Sequence, residues 1–152
     1  RDKLVTGVQT CALPIYITNS GGRFAEQHVR EYRTRLPHTR IFLMYGLTEA
    51  FRSTFLDPDQ VDVRPSSIGK AIPNAEILVI NDEGRPCQPH EVGELVHRGA
   101  HVSQGYWNAP ELTRERFRRN PLQPPNVPHD EWAVFSGDLV TADEEEIGRA
   151  HV

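Results

Sequence analysis

The most informative stretch of the sequence reads Met44-Tyr45-Gly46-Leu47-Thr48-Glu49-Ala50. It closes an unbroken apolar run, which predicts a short buried strand over residues 40–45. Gly46 favours a sharp turn directly after the strand, so Tyr45 should stand at the carboxyl end, where α/β sheets place ligands. Tyr45 can offer its ring to a purine, Thr48 can bond a phosphate oxygen, and Glu49 can hold Mg²⁺. An ordinary strand and polar turn would look the same, so further segments must decide.

Three further motifs lie in order around this stretch. Ser20-Gly21-Gly22 precedes it, Gly93-Glu94-Leu95 with Gly99 and Gly105-Tyr106-Trp107 follows it, and Ser136-Gly137-Asp138 comes last. Together the four motifs resemble the adenylate-forming superfamily, which comprises acyl-CoA synthetases, the adenylation domains of peptide synthetases, and luciferases. The resemblance covers most of residues 16–146. It is specific because four separately placed motifs agree, whereas each motif by itself is a weak signal.

The resemblance implies a set of nucleotide-binding residues. Gly21 and Gly22 would let the backbone approach adenine closely, while Tyr45 packs on the ring and Gly46 shapes the turn. Asp138 would accept hydrogen bonds from both ribose hydroxyls and so orient the nucleotide for in-line attack. Without the other motifs, Asp138 would be an ordinary turn aspartate.

Thr48 and Glu49 are the expected catalytic residues. Acyl adenylation brings a carboxylate to the α-phosphorus of ATP while pyrophosphate leaves, so negative charge must be neutralised. Glu49 is expected to hold Mg²⁺ as Lewis acid and template, and Thr48 to fix a phosphate oxygen. The resemblance thus implies an AMP-forming acyl-CoA ligase of fatty acid metabolism that uses ATP, Mg²⁺ and coenzyme A. Two alternatives stay open: an adenylation domain that loads the phosphopantetheine of a carrier protein, and a non-catalytic nucleotide-binding module.

The order of elements predicts an α/β part followed by a mostly β part. The patterns predict a helix within residues 23–36, strands over 76–80, 93–97 and 132–140, a short helix over 110–117 capped by Asn108, and a loop over 120–130. The resemblance places residues 16–65 at the end of an α/β subdomain and residues 66–146 in part of a distorted β-barrel subdomain, both belonging to a partial N-terminal domain. Superfamily members also carry an upstream phosphate loop and a downstream lysine, which Lys70 does not match. The chain alone is therefore expected to be an inactive internal fragment.

Both ends of the sequence match translated library DNA. Residues 5–15 correspond to a common short-read sequencing adapter, and residues 147–152 correspond in frame to the reverse complement of its last part, extended into the partner adapter. Such segments are excluded before fold reasoning. We therefore expect residues 1–15 and 147–152 not to be native.

Composition narrows the classes of partner. The formal net charge is −4, so there is no basic field for nucleic acid or an anionic membrane. No apolar run approaches the roughly 20 residues of a membrane span, and outside the expected adapter residues Cys87 is the single cysteine. The chain is therefore expected to be cytoplasmic. His97 and His101, if on one strand, would lie roughly 13 Å apart, too far to share a zinc ion.

Some positions indicate a subgroup. Arg23-Phe24 stands where many acyl-CoA synthetases carry a small residue and proline, which changes the contour of the pocket. The combination of Ala50-Phe51-Arg52-Ser53-Thr54 with Ser136-Gly137-Asp138 resembles the acyl-CoA ligases associated with exosortase systems. Gly105-Tyr106-Trp107-Asn108 is expected to pack against the protein rather than to stack on bases, because no basic residues are interleaved with it.

Overall fold

The computed structural model describes residues 14–19, 21–145 and 148–151. Most of residues 1–15 of the expected adapter translation lie outside this part, as do Ser20, residues 146–147 and Val152. In chain order the elements are β1 (Tyr16–Thr18), α1 (Glu26–Arg35), β2 (Arg40–Phe42), β3 (Met44–Tyr45), β4 (Thr54–Phe55), a 3-10 turn (Pro58–Gln60), β5 (Lys70–Ala71), β6 (Ala75–Ile80), β7 (Gly93–Gly99), α2 (Pro110–Arg116), β8 (Phe117–Arg119), β9 (Trp132–Ala142) and β10 (Gly148–His151).

Helix α1 covers one of two apolar cores. Its buried residue Val29 packs with Ile41, Leu43 and neighbouring apolar side chains. Glu26 and Arg30 form an ion pair across one turn at 2.5 Å, the spacing that supports a helix. The predicted helix within residues 23–36 is confirmed.

The predicted strand over residues 40–45 is divided between two sheets. β2 pairs in parallel with β1, whereas β3 pairs with β4 in a separate antiparallel sheet that ends in β5. The break falls at the buried residue Leu43, whose carbonyl accepts a hydrogen bond from the Leu56 amide at 2.7 Å. The prediction of one continuous strand was wrong because the chain changes its pairing partner within the apolar run. Tyr45 is nevertheless the last residue of β3, as predicted for the end of the strand.

The larger sheet forms a half-barrel in the order β10-β9-β7-β6, with β8 also paired to β9. All its pairings are antiparallel. Ile80, Val96, Ala133 and Phe135 form the core on this sheet. The predicted strands 76–80, 93–97 and 132–140 are confirmed and are each slightly longer than expected. The architecture is therefore α/β first and mostly β afterwards, as the sequence predicts.

The segment before α2 corrects two expectations. Asn108 does not cap the helix: the cap position is Ala109, no side chain bonds there, and Asn108 has a positive φ of 51°. Trp107 was expected to pack, yet its side chain is 98% exposed. Tyr106 does pack, with its ring edge-on to Phe117 at a centroid distance of 5.8 Å.

Two observations bear on the predicted boundaries. β5 lies after residue 65 but belongs to the sheet of β3 and β4, so this sheet draws strands from both sides of the predicted subdomain boundary. β10 lies within the residues attributed to adapter DNA and pairs with β9. Within the described ranges, neither helix has the length and hydropathy needed to cross a membrane.

Candidate nucleotide site

A cavity of about 600 Å³ lies where the end of β3, the loop before α1 and a bulge of β9 meet. All seven predicted site residues line it: Gly21, Gly22, Tyr45, Gly46, Thr48, Glu49 and Asp138. They come from three separate segments of the chain. The structure therefore brings together every residue that the sequence analysis selected, and Ser20 of the first motif lies outside the described part.

Asn19 fixes the glycine pair beside β3. Its side-chain amide accepts a hydrogen bond from the Met44 amide at 2.7 Å and donates one to the Met44 carbonyl at 3.1 Å. The same amide nitrogen lies 3.3 Å from the Gly22 carbonyl, to which it donates. A Cβ at Gly21 or Gly22 would meet no atom within 4 Å, so the backbone here is open to a ligand. Pattern reasoning missed Asn19 because its partner is 25 residues away.

Gly46 is required by close packing, and its φ is not in the left-handed region. A Cβ at this position would lie 2.2 Å from the backbone nitrogen of Arg52. The chain folds back because Leu47 and Ala50 exchange two backbone hydrogen bonds at 3.2 Å. This tight loop places Thr48 and Glu49 at its tip. The turn predicted at Gly46 is present, and its physical reason is the approach of Arg52.

A bulge in β9 turns Asp138 into the cavity. From Glu94 to Val96 strand β7 advances two residues, whereas β9 advances four from Phe135 to Leu139. The extra residues include Gly137, whose φ of 80° suits glycine. The Ser136 hydroxyl donates to the Leu95 carbonyl at 2.7 Å and accepts from the Asp138 amide at 3.0 Å. Bulges of this kind re-aim side chains at functional sites.

Tyr45 of β3 contacts residues of strands β7 and β9. Its hydroxyl donates a hydrogen bond to Asp138 Oδ2, and its ring stacks on His97 with centroids 5.8 Å apart and an angle of 10°. Burial, together with the Asp138 carboxylate, raises the pKa of the Tyr45 phenol well above its usual value. The phenol therefore stays protonated as a donor. Only the ring face opposite His97 is available to a ligand.

His97 is fully buried and neutral. Neither ring nitrogen has a hydrogen-bond partner, and burial lowers the pKa of His97 to about 3. His101 does not share a strand with His97, because β7 ends at Gly99 and His101 lies in the turn that follows. Burial also lowers the pKa of His101. No local pattern in the sequence indicates the stacking of His97 on Tyr45.

Glu49 lies between the cavity and Tyr106. The Tyr106 hydroxyl donates to Glu49 Oε1, and the Ser103 amide donates to the Glu49 carbonyl at 2.8 Å. The hydrogen bond to Glu49 raises the pKa of the Tyr106 phenol. Among the described residues no cluster of three or more His, Cys, Asp or Glu could hold a metal. One carboxylate beside a hydroxyl, Thr48, still fits Mg²⁺, which takes few protein ligands and completes its shell with phosphate oxygens and water.

Comparison with known proteins identifies the family of this chain. The profile of the AMP-binding enzyme family matches residues 4–107. The chain belongs to the AMP-binding enzyme family. The match begins among the N-terminal residues that the sequence analysis attributes to adapter DNA. It also includes the first three of the four motifs.

Three proteins illustrate which members of the AMP-binding family this chain is similar to. A Delta-poly-L-ornithine synthetase from Acinetobacter baumannii is 36% identical over 135 residues, 89% of this chain and 10% of the relative. A Long-chain-fatty-acid--CoA ligase from Escherichia coli is 29% identical over 131 residues, 86% of this chain and 21% of the ligase. A solved structure of an NRPS protein containing adenylation and PCP domains superposes with a TM-score of 0.76 at 27% identity, covering 90% of this chain and 28% of that one. The chain thus spans between 10% and 28% of the length of these three proteins.

Proposed function

We propose that the complete protein is an AMP-forming acid–thiol ligase. It would activate a carboxylic acid with ATP to an acyl-adenylate and transfer the acyl group to coenzyme A in the cytoplasm, where both ATP and coenzyme A are present. The observation that carries this proposal is the single cavity lined by Tyr45, Thr48, Glu49 and Asp138. Membership in the AMP-binding family and similarity to a CoA ligase support it.

The residues of the cavity would divide the work. Asp138 keeps one carboxylate oxygen free of Tyr45 and would accept the ribose hydroxyls. Tyr45, backed by His97, would present its open ring face to adenine above the bare backbone of Gly21 and Gly22.

The catalytic end would lie at the tip of the 47–50 loop. Thr48 would donate its hydroxyl to a phosphate oxygen, and Glu49 would hold Mg²⁺ with the oxygen that Tyr106 leaves free. The metal, when bound, supplies charge neutralisation for the leaving pyrophosphate. By holding the phosphates and the ribose at two fixed points, the loop and Asp138 would align the α-phosphorus for attack.

An exchange assay tests this proposal. In the complete protein, Glu49→Ala and Asp138→Ala should each lower carboxylate-dependent ATP–pyrophosphate exchange about thirty-fold to a thousand-fold, because each removes on the order of 2 to 4 kcal/mol of transition-state stabilisation. Glu31→Ala and Asp130→Ala remove exposed carboxylates outside the cavity and should leave exchange unchanged. Wild-type exchange in a well-folded Glu49 or Asp138 variant would refute the assignment.

A second candidate is an adenylation domain that loads a carrier protein. The similarity to the NRPS protein with adenylation and PCP domains favours it. Both candidates share the adenylation step, so the acceptor separates them. Radiolabelled acid would be offered with coenzyme A or with a phosphopantetheinylated carrier protein. Labelled acyl-CoA supports the first candidate, whereas labelled carrier protein alone supports the second.

A further inference from the structure

Two arginines of the cavity lack the partners that the other arginines have. Among the arginines whose side chains the structure describes, all except Arg23 and Arg52 pair with a carboxylate or a carbonyl oxygen. Both exceptions line the cavity of about 600 Å³. The carboxylates of Glu49 and Asp138 each accept a hydrogen bond from a tyrosine hydroxyl. The cavity therefore holds two guanidinium groups that no carboxylate contacts.

Arg52 is held in place without a strong acceptor. Its Nε atom is buried and has no hydrogen-bond partner, and its Nη1 lies 3.9 Å from Met44 Sδ. The guanidinium carbon is 5.2 Å from the centre of the Phe51 ring. The backbone at Arg52 has a positive φ of 50°, uncommon for a residue other than glycine. A buried guanidinium nitrogen without an oxygen partner is unfavourable, so this arrangement fits a site completed by an anionic ligand.

The position of Arg52 separates it from the predicted nucleotide contacts. Side chains of successive strand residues point to opposite faces, so Met44 and Tyr45 of β3 face opposite ways. Tyr45 contacts His97 and Asp138, whereas Met44 contacts Arg52. Apolar side chains also line the cavity, among them Phe51, whose ring centre lies 5.2 Å from the Arg52 guanidinium carbon. This end combines apolar surface with positive charge.

Building on the proposed function, we propose that Arg52 binds a second carboxylate of the acid substrate, with Arg23 beside it, so that the substrate class is dicarboxylic acids. In adenylation an oxygen of the reacting carboxylate forms a bond to the α-phosphorus, and the bond to pyrophosphate breaks. The reacting carboxylate loses its charge in the mixed anhydride. A permanent cation paired with it would stabilise the ground state more than the transition state. Arg52 therefore suits the carboxylate that keeps its charge.

Matched pairs of acids test this proposal in the complete protein. Adipate would be compared with hexanoate, sebacate with decanoate, and terephthalate with benzoate, in wild type, Arg52→Gln, Arg52→Lys and Arg23→Gln. In at least one pair the diacid should be preferred by wild type. Arg52→Gln should lower kcat/KM for that diacid about ten-fold to a hundred-fold, the value of a charge-assisted hydrogen bond. The kcat/KM for the matched monoacid and the KM for ATP should stay unchanged.

The control variants sharpen the result. Arg52→Lys should retain part of the diacid preference and Arg23→Gln should lower it less, because Arg23 is exposed. Arg40→Gln, an exposed arginine outside the cavity, should change nothing. Calorimetric binding of the same free diacid should weaken in Arg52→Gln without any turnover.

The outcomes are distinct. If the wild-type enzyme activates monoacids and prefers no diacid over its matched monoacid, the proposed substrate class is overturned. The proposed function then remains intact. A raised KM for ATP in Arg52→Gln, with diacid and monoacid affected equally, would assign Arg52 to phosphate and also overturn the proposal. If wild type activates no acid, the proposed function fails. The calorimetric titration then decides the inference, and equal affinity of wild type and Arg52→Gln for the diacids contradicts it.

Discussion

Tyr45 shows how single contacts can define a site. Its hydroxyl is bound to Asp138, one face of its ring is covered by His97, and its backbone belongs to β3. These contacts leave one ring face and one Asp138 oxygen for a ligand. A phenol held at its hydroxyl and on one ring face loses little further freedom on binding, which favours affinity.

His97 should make the stability of the protein depend on pH. Its pKa falls from 6.5 in the unfolded chain to about 3 in the fold. Below pH 6.5 the unfolded state therefore binds a proton that the folded state does not, so stability is full above that pH and falls as the pH drops toward 3. The loss should approach about 1.4 kcal/mol per pH unit, and the lowered pKa of His101 acts in the same direction.

Denaturant titration of the complete protein between pH 7.5 and pH 5 would measure this loss. His97→Phe keeps an aromatic ring against Tyr45 and should flatten the acid side of the profile. His38→Phe, at an exposed position, controls for loss of a histidine. Parallel profiles for wild type and His97→Phe would show that His97 is not the responsible group.

At the scale of elements, Gly46 couples the end of β3 to the loop over residues 47–52. Gly46→Ala would place a Cβ 2.2 Å from the Arg52 nitrogen, so the loop must shift. We expect a loss of about 2 kcal/mol of stability, typical of overpacking, and weaker ATP binding because Thr48 and Glu49 move. Gly84→Ala is the matched control: its φ of 74° is strained, but its Cβ meets open space. Equal ATP affinity in both variants would contradict the role of the loop.

The elements that the sequence predicted well are those long enough to show the hydrophobic periodicity of a helix or a strand. α1, β6, β7 and β9 each carry enough alternating or helical residues to be recognised. β4 and β5 have two residues each, and β8 has three, so no periodicity can be read from them. Their formation depends on partners far along the chain, as does the division of the predicted strand at Leu43.

The predicted site residues line one cavity, but the sequence did not reveal the residues that support them. The four motifs named every predicted residue that lines the cavity. Asn19, His97 and Tyr106 act through contacts that span 25, 52 and 57 residues, respectively, to Met44, Tyr45 and Glu49. Such contacts follow from the fold and leave no local pattern.

At the scale of the whole molecule, the isolated 152-residue chain should not catalyse adenylation. It spans between 10% and 28% of the length of the three similar proteins described above. Phe51, Val63 and Trp107 are large apolar side chains that lie mostly exposed, which favours association. Purified chain would be assayed for ATP–pyrophosphate exchange with fatty, aryl and amino acids. Reproducible acid-dependent exchange would contradict this prediction.

The proposed origin of the chain ends has its own test. We propose that residues 1–15 and 147–152 are translated adapter DNA, because both ends match adapter strands in frame. Long-read sequencing of the locus should show other codons before Tyr16 and after Glu146. Genomic bases encoding residues 5–15 directly before Tyr16 would refute the proposal.

We propose that the cavity between Tyr45, Glu49 and Asp138 binds the nucleotide. A crystal structure of the complete protein with a non-hydrolysable acyl-adenylate analogue tests it most directly. We predict that Asp138 bonds both ribose hydroxyls and that adenine lies on the ring face of Tyr45 opposite His97. An analogue bound elsewhere, or a ribose that makes no contact with Asp138, would contradict the account.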